Sequence, residues 1–392
     1  NLYIIGSDFM DTVAFVIDGI KYIATYKDNN LKILKLENNT LQELTTSENE
    51  KIIKLLNRKT GYKSNSELLT RLLTENNNIE SKEDYSIVLN WIERIIPEEH
   101  RQNLYTNIKT LVIKSNVKRN DEPTTEGYPE LKDDIITGAY DYTNNTITIS
   151  EEFISSLRQR ALKQDDPSSY FAKYFSKTML HESLHMASSK YDKSTGILLN
   201  GFETYPYKEN KDRNKGLTEG YTEFIAMCGV PGTTELASGY FIETRIIAQL
   251  TQIIGTNTLS DAYFGNKGTA PLEEKLCKLI NDKDKAAWIF RKIEMNFQLK
   301  DNCEEQYILS SIQYNLLEYL EKKLEMLSSV GAYDEIDRIL PYYESMLITP
   351  ETLKIISENK NIYKGTDKNT IKFQEIKSKY SKKNNETTYK HI

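Results

Sequence analysis

His181-Glu182-Ser183-Leu184-His185 is the stretch on which the rest of the chain turns. On an α-helix, residues four apart lie one turn above each other on the same face. His181 and His185 therefore present two imidazoles side by side, a spacing that lets both bind one metal ion. Glu182 leans over the same cleft. Zinc takes neutral imidazole nitrogen and carboxylate oxygen, and a zinc site that does chemistry keeps one position open for water. Two histidines do not complete such a site, so a third protein ligand has to come from elsewhere.

The best candidate is Glu219, in Gly216-Leu217-Thr218-Glu219-Gly220-Tyr221-Thr222-Glu223-Phe224, 34 positions after His185 (219 − 185). That separation lets the first helix end, a loop turn back and a second helix bring its first turn to the metal. Glu223 lies four residues on and shares the face of Glu219. It is expected to accept a hydrogen bond from the far N–H of a ligating histidine, which fixes the tautomer. In the plainer alternative, Glu219 and Glu223 are solvated helix charges. Asp192, just past the first helix, is the nearest rival as third ligand.

These two segments together resemble the gluzincins, zinc metallopeptidases that take two histidines from one helix and a glutamate from a later one. The second segment is similar to the N-E-G-F motif of the aminopeptidase branch, and its Glu-x-x-x-Glu spacing to the N-E-x-x-S-D motif of the thermolysin branch. Thr218 stands where both motifs have Asn. The resemblance extends in layout over roughly residues 105–265. It implies an α+β, zincin-like catalytic domain with a small twisted sheet, a metal helix and a helical lower half. It implies one Zn2+ per chain on His181, His185 and Glu219, with Glu182 as general base toward a metal-activated water. It also implies an edge strand that pairs with a peptide backbone. Gly138-Ala139-Tyr140 stands where that strand belongs, an ordinary hairpin being the alternative. A tyrosine is expected to stabilise the oxyanion. Tyr240 fits the order in which it follows the ligand glutamate, and Tyr205 or Tyr207 the order in which it precedes.

Composition sets the outer bounds. The 392 residues suffice for two or three domains. No apolar run reaches the 18 or so residues of a membrane span. The first residue is Asn1, which suggests a processed or trimmed product and leaves a secreted or cell-surface location as the expectation. Three cysteines, Cys228, Cys277 and Cys303, make neither a disulfide framework nor a zinc finger. Cys228 is expected on the apolar side of its helix. Residues 360–392 hold nine Lys and three acids, a net of +6, so the rest of the chain carries −12 to reach the total of −6. An acidic body argues against nucleic acid as the main partner; a peptide or protein substrate is what the resemblance implies. With four histidines in all, a histidine-dependent nucleophilic site is improbable.

In chain order, residues 1–46 read as a β-meander, with Asp18-Gly19 as a hairpin turn between Thr12–Ile17 and Ile20–Tyr26. Residues 47–100 read as helical, with an Asn-rich linker over Glu75–Ser81 and a helix from Asp84 to Ile96. The catalytic domain is expected over 101–285. Strands are expected at Ile108–Ser115 and Gly138–Ser150, and a helix at Glu151–Leu162. The metal helix should follow, capped by Asp166-Pro167, then a long polar loop over Lys190–Lys215. Residues 286–359 read as a helical region and 360–392 as a flexible basic tail. Two other functions compete: a toxin-like metallopeptidase delivered into another cell, and a zincin-fold scaffold with little catalysis. The intact Glu182 argues against the scaffold, which has no use for a general base.

Overall fold

The computed structural model describes residues 2–6, 12–17, 20–27, 30–37, 40–48, 51–52, 89, 91–115, 138–207, 213–230, 239–299, 303–349, 352 and 366–388. They form a mixed helix-and-sheet, α+β structure with three small sheets. Most of the helix expected over 47–75, the linker at 75–81 and most of the helix from Asp84 lie outside the described residues; residues 91–95 are helical. No helix among the described residues is long and apolar enough to cross a membrane.

The first sheet is an antiparallel meander of five strands: β1 (Leu2–Gly6), β2 (Thr12–Ile17), β3 (Ile20–Lys27), β4 (Asn30–Glu37) and β5 (Thr40–Glu43). Ile17 pairs with Ile20 across the two-residue connection at Asp18-Gly19. The second sheet follows a short helix, α1 (Gln102–Asn107). It has the order β6 (Val112–Ser115), β8 (Thr146–Ile149), β7 (Gly138–Asp141), with β6 parallel and β7 antiparallel to β8. The strand expected from Ile108 starts only at Val112. Ile108 instead closes α1 with its N–H on the Leu104 carbonyl at 3.0 Å, and both Ile108 and Leu111 are fully buried. The β7–β8 hairpin turns at Asn145, whose φ of 49° is the left-handed conformation that Asn tolerates.

Helix α2 (Glu151–Ala161) is capped by Ser150 and α3 (Pro167–Ser188) by Asp166, whose side chain accepts from the Ser169 N–H at 3.0 Å. The expected loop over Lys190–Lys215 holds a third antiparallel sheet: β9 (Ser189–Asp192), β10 (Ile197–Asn200) and β11 (Glu203–Tyr205). Helix α4 (Lys215–Gly229) follows, then α5 (Phe241–Ile254), α6 (Thr256–Phe264), α7 (Ala270–Ile280), α8 (Lys283–Gln298), α9 (Cys303–Ser329) and α10 (Tyr333–Ser345). The expected boundary at 285/286 falls inside α8, whose Ile289, Phe290 and Ile293 belong to one apolar core running from Leu89 to Tyr380. Cys228 is exposed rather than in the core. Its neighbour Gly229 is the residue that faces inward, toward Trp91 and Leu180.

The basic C-terminal stretch is not a tail. It forms α11 (Thr366–Thr388), packed against α9 and α10. Phe373, Ile376 and Tyr380 are buried, and the Phe373 ring stacks on Tyr343 at 5.9 Å. These three residues recur at i, i+3 and i+7, the stripe of an amphipathic helix. Lys377 borders that stripe, and Lys377 and Lys379 pair with Glu344 and Glu321 at 2.6 and 2.7 Å.

Candidate metal centre

Helix α3 sets the first two groups. Its C-terminal carbonyls are held from outside: Asn107 Nδ2 donates to the Met186 and Ser189 oxygens at 2.7 and 2.8 Å, and Asn266 Nδ2 to the Ser188 oxygen at 2.7 Å. A helix end buried against two other segments needs such partners for its last carbonyls. Leu180, Leu184 and Ala187 face the core. His181 and His185 face the cleft, nearly buried, with ring centroids 4.9 Å apart.

Helix α4 brings the third group. Gly220 allows its close approach to α5, because a Cβ there would sit 2.7 Å from the Glu243 Cβ and 2.9 Å from the Glu243 backbone. Thr218 takes the Phe202 N–H on its hydroxyl at 3.2 Å, while Asn214 Nδ2 donates to the Phe202 carbonyl at 3.1 Å. The backbone just before β11 is thereby fixed to the first turn of α4. The N–H of Gly216 donates to Glu294 of α8 at 3.0 Å. The result is a triangle of ligand atoms: His181 Nε2 to His185 Nε2 3.2 Å, His185 Nε2 to Glu219 Oε2 3.2 Å, and His181 Nε2 to Glu219 Oε2 3.3 Å. These residues, His181, His185 and Glu219, are positioned as a potential metal site.

Glu223 occupies the expected outer position, with Oε2 2.9 Å from His181 Nδ1. Its other oxygen pairs with the ammonium of Lys177, also buried. Lys177 is the residue that inspection of the sequence missed. It lies four residues before His181, so the helical spacing that found the histidines extends to it. Burial opposes charge on both carboxylates. The histidines, His185 first, nevertheless hold Glu219 well below the usual carboxylate range. Hydrogen bonding from His181, with Lys177 beside it, brings Glu223 down to about 2. Burial lowers His181, but Glu219 and Glu223 outweigh it and push it up to about 10. The site therefore draws in positive charge, as a proton or as a metal ion.

Glu182 is buried, and burial raises its pKa against the pull of His181 and His185. Strand β7 lies directly on it: a Cβ at Gly138 would come within 3.0 Å of Glu182 Cγ and Oε1. Gly138, Ala139 and Tyr140 lie on β7, one of the two edge strands of that sheet, set against α3. The Tyr240 ring stacks on His181 at 5.7 Å, 8° from parallel. Burial, then the charge of Glu219, hold its phenol well above the ordinary value, so it stays a donor. Tyr207 is otherwise engaged, donating to Glu203 at 2.9 Å, and Tyr205 is exposed on β11. Asp192 closes the β9–β10 turn, accepting from the Ser194 N–H and hydroxyl at 2.9 and 2.6 Å. His100 is paired with Asp261 at 2.7 Å, and Lys267 shares that carboxylate. Sequence inspection also missed Glu203, which burial and then Glu219 push up to about 7. No protein-family model matches the chain, and it has no match among curated proteins or solved structures.

Proposed function

We propose that the chain is a zinc-dependent metallopeptidase of gluzincin type, built on a zincin-like catalytic domain. The observation that carries this is the triangle of 3.2, 3.2 and 3.3 Å between the two Nε2 atoms and the Glu219 oxygen. Three ligands on a tetrahedral ion with bonds of about 2.0–2.1 Å stand about 3.3–3.4 Å apart, so the triangle fits zinc. The donor set agrees, with two imidazoles and one carboxylate leaving the fourth position for water.

Bound there, zinc supplies Lewis acidity, polarising a carbonyl oxygen and lowering the pKa of a water toward neutrality. The chain's own groups do the rest. Glu182, buried beside the histidines, takes the proton of the attacking water and passes it to the leaving amine. Tyr240, held protonated, donates a hydrogen bond to the oxygen that gains charge. Backbone groups of Gly138, Ala139 and Tyr140 pair with an extended peptide and hold it across Glu182. Glu223, anchored by Lys177, keeps the Nδ1 proton on His181 and leaves Nε2 free to ligate.

The test is metal content by elemental analysis of wild type, Glu219→Ala and Glu182→Gln, each assayed on a peptide library. The expected outcome is one zinc per chain in wild type, lost in Glu219→Ala. Glu182→Gln should keep the zinc and lose cleavage. Zinc retained in Glu219→Ala would mean another third ligand, and a zinc-free wild type would remove the enzyme reading.

A further inference from the structure

The β9–β11 sheet follows directly on the end of α3 that carries His185. Its register places Ser189, Asn200 and Glu203 opposite one another, and Tyr191, Leu198 and Tyr205 opposite one another two residues along. Residues paired across strands, and those two apart along them, share a face. One face therefore carries an inner row ending in Glu203 and an outer row flanked by two tyrosines. Ser189 caps α3 four residues after His185, so the inner row lies at the His185 end of that helix. Burial first, then the charge of Glu219, raise the Glu203 carboxyl, so the two groups are within electrostatic reach of each other. The outer row lies roughly 6–7 Å farther out, where Tyr191 and Tyr205 are 36% and 46% exposed.

A third tyrosine joins them from strand β7. Tyr142 follows Asp141 in the β7–β8 turn, and its ring lies 5.9 Å from that of Tyr191. Burial first, then Tyr205, Asp141, Tyr191 and Glu203 nearby, raise its phenol above the ordinary value. Tyr207 stands edge-on to Tyr205 at 5.5 Å and holds the Glu203 carboxylate at 2.9 Å. An aromatic wall thus begins where the outer strand ends, with a carboxylate at its inner edge. Of the nearby cations, Arg213 lies over the Tyr207 ring at 5.4 Å and reaches Glu294 at 3.5 Å. Lys215, at the start of α4, adds a weaker attraction to Glu203.

We infer that Glu203, with Tyr142, Tyr191 and Tyr205, forms a subsite for a basic side chain, Lys or Arg, of a peptide lying along β7. This rests on the peptidase reading and names its substrate class. An apolar side chain placed there desolvates the carboxylate and returns nothing. Burial and then Glu219 raise the Glu203 carboxyl to about 7; an acidic side chain keeps it protonated and gains no partner, whereas a cationic one favours its ionised form. A long cationic side chain lays its stem along the tyrosine faces and brings its head to Glu203, combining cation–π attraction with a charge-assisted hydrogen bond.

The experiment uses zinc-loaded Glu182→Gln protein and calorimetric titration with blocked heptapeptides. Lys, norleucine or Glu is placed in turn at the three positions on either side of the centre. At one position Lys should bind about tenfold more tightly than norleucine, and Glu more weakly than either. Glu203→Lys on the same background should reverse the order and favour the Glu peptide, a gain that misfolding cannot mimic. A uniform response at every position, or a Lys preference that survives Glu203→Lys, overturns the subsite. Zinc-loaded wild type assayed on the same peptides separates the two claims. Cleavage without a Lys preference leaves the peptidase and removes the subsite; a Lys preference without cleavage does the reverse.

Discussion

Replacing Glu223 by Ala should be among the most damaging changes the protein can suffer away from its ligands. Glu223 joins two buried groups, His181 through Oε2 at 2.9 Å and the Lys177 ammonium through Oε1, with side chains only 4% and 9% exposed for Glu223 and Lys177. Removing the carboxylate strands a buried ammonium, and breaking one side of such a pair costs ~3–5 kcal/mol. Lys177→Met should cost less, because Glu223 keeps its hydrogen bond from His181. The double variant Lys177→Met/Glu223→Ala leaves no stranded charge, so it should be more stable than Glu223→Ala alone, with a coupling of about 2 kcal/mol or more. The assay is urea unfolding of metal-free protein for wild type, both single variants and the double variant. Zinc affinity, measured in parallel, should fall about 10–100-fold in Glu223→Ala through loss of the hold on His181. A Glu223→Ala cost below about 1 kcal/mol, or strictly additive effects, would refute the argument, since neither is compatible with an uncompensated buried charge.

Three other changes probe separate parts of the molecule. Gly138→Ala puts a Cβ 3.0 Å from Glu182 Cγ and Oε1 and should displace the base. Steady-state kinetics should show kcat reduced by about 10–100-fold, with zinc content by elemental analysis unchanged; full activity would mean that Glu182 is not pressed against β7. Phe373→Ala empties a fully buried site between α9, α10 and α11, and chemical denaturation should report a loss of ~3–5 kcal/mol. A cost under about 1 kcal/mol would mean that α11 is not docked. Glu203 has its carboxyl raised to about 7, so the folded state holds a proton that the unfolded chain releases at lower pH. Metal-free protein should therefore lose stability, on the order of 2 kcal/mol, as pH rises from about 4.5 through 7. Glu203→Gln should flatten that slope in unfolding measured across this range, and an unchanged slope would remove the argument.

The metal centre was legible because its information is local. Helical spacing alone puts His181 beside His185 and Glu219 beside Glu223, and with four histidines in the chain few other pairings compete. Lys177 was equally local but was passed over, because a lysine on a helix is ordinarily a solvated charge; only packing reveals that its head is buried. The three strands after α3 were hidden for another reason. Each is only three or four residues long, Ser-Lys-Tyr-Asp, Ile-Leu-Leu-Asn and Glu-Thr-Tyr, too short for a period to show. No alternation of apolar and polar residues could announce them. In α11 the opposite error arose. Nine lysines in the last stretch outweighed the three residues, Phe373, Ile376 and Tyr380, that decide where it goes. Thr218, a departure from the familiar motif, makes sense only in three dimensions, where its hydroxyl holds the Phe202 N–H.

The hydrogen bond from Gly216 to Glu294 spans 78 residues of sequence, and this separation has a consequence in time. The residues of the candidate metal site leave the ribosome early, between residues 181 and 219. The carboxylate that braces the start of the Glu219 helix follows some 78 positions later, which at 5–20 residues per second is a delay of roughly 4–16 s. The helices that complete the core come later still. During synthesis the two histidines can already stand one turn apart on α3, while the start of α4 still lacks the brace from Glu294. The triangle of His181, His185 and Glu219 therefore closes only as the last third of the chain arrives, once the core that braces it has formed.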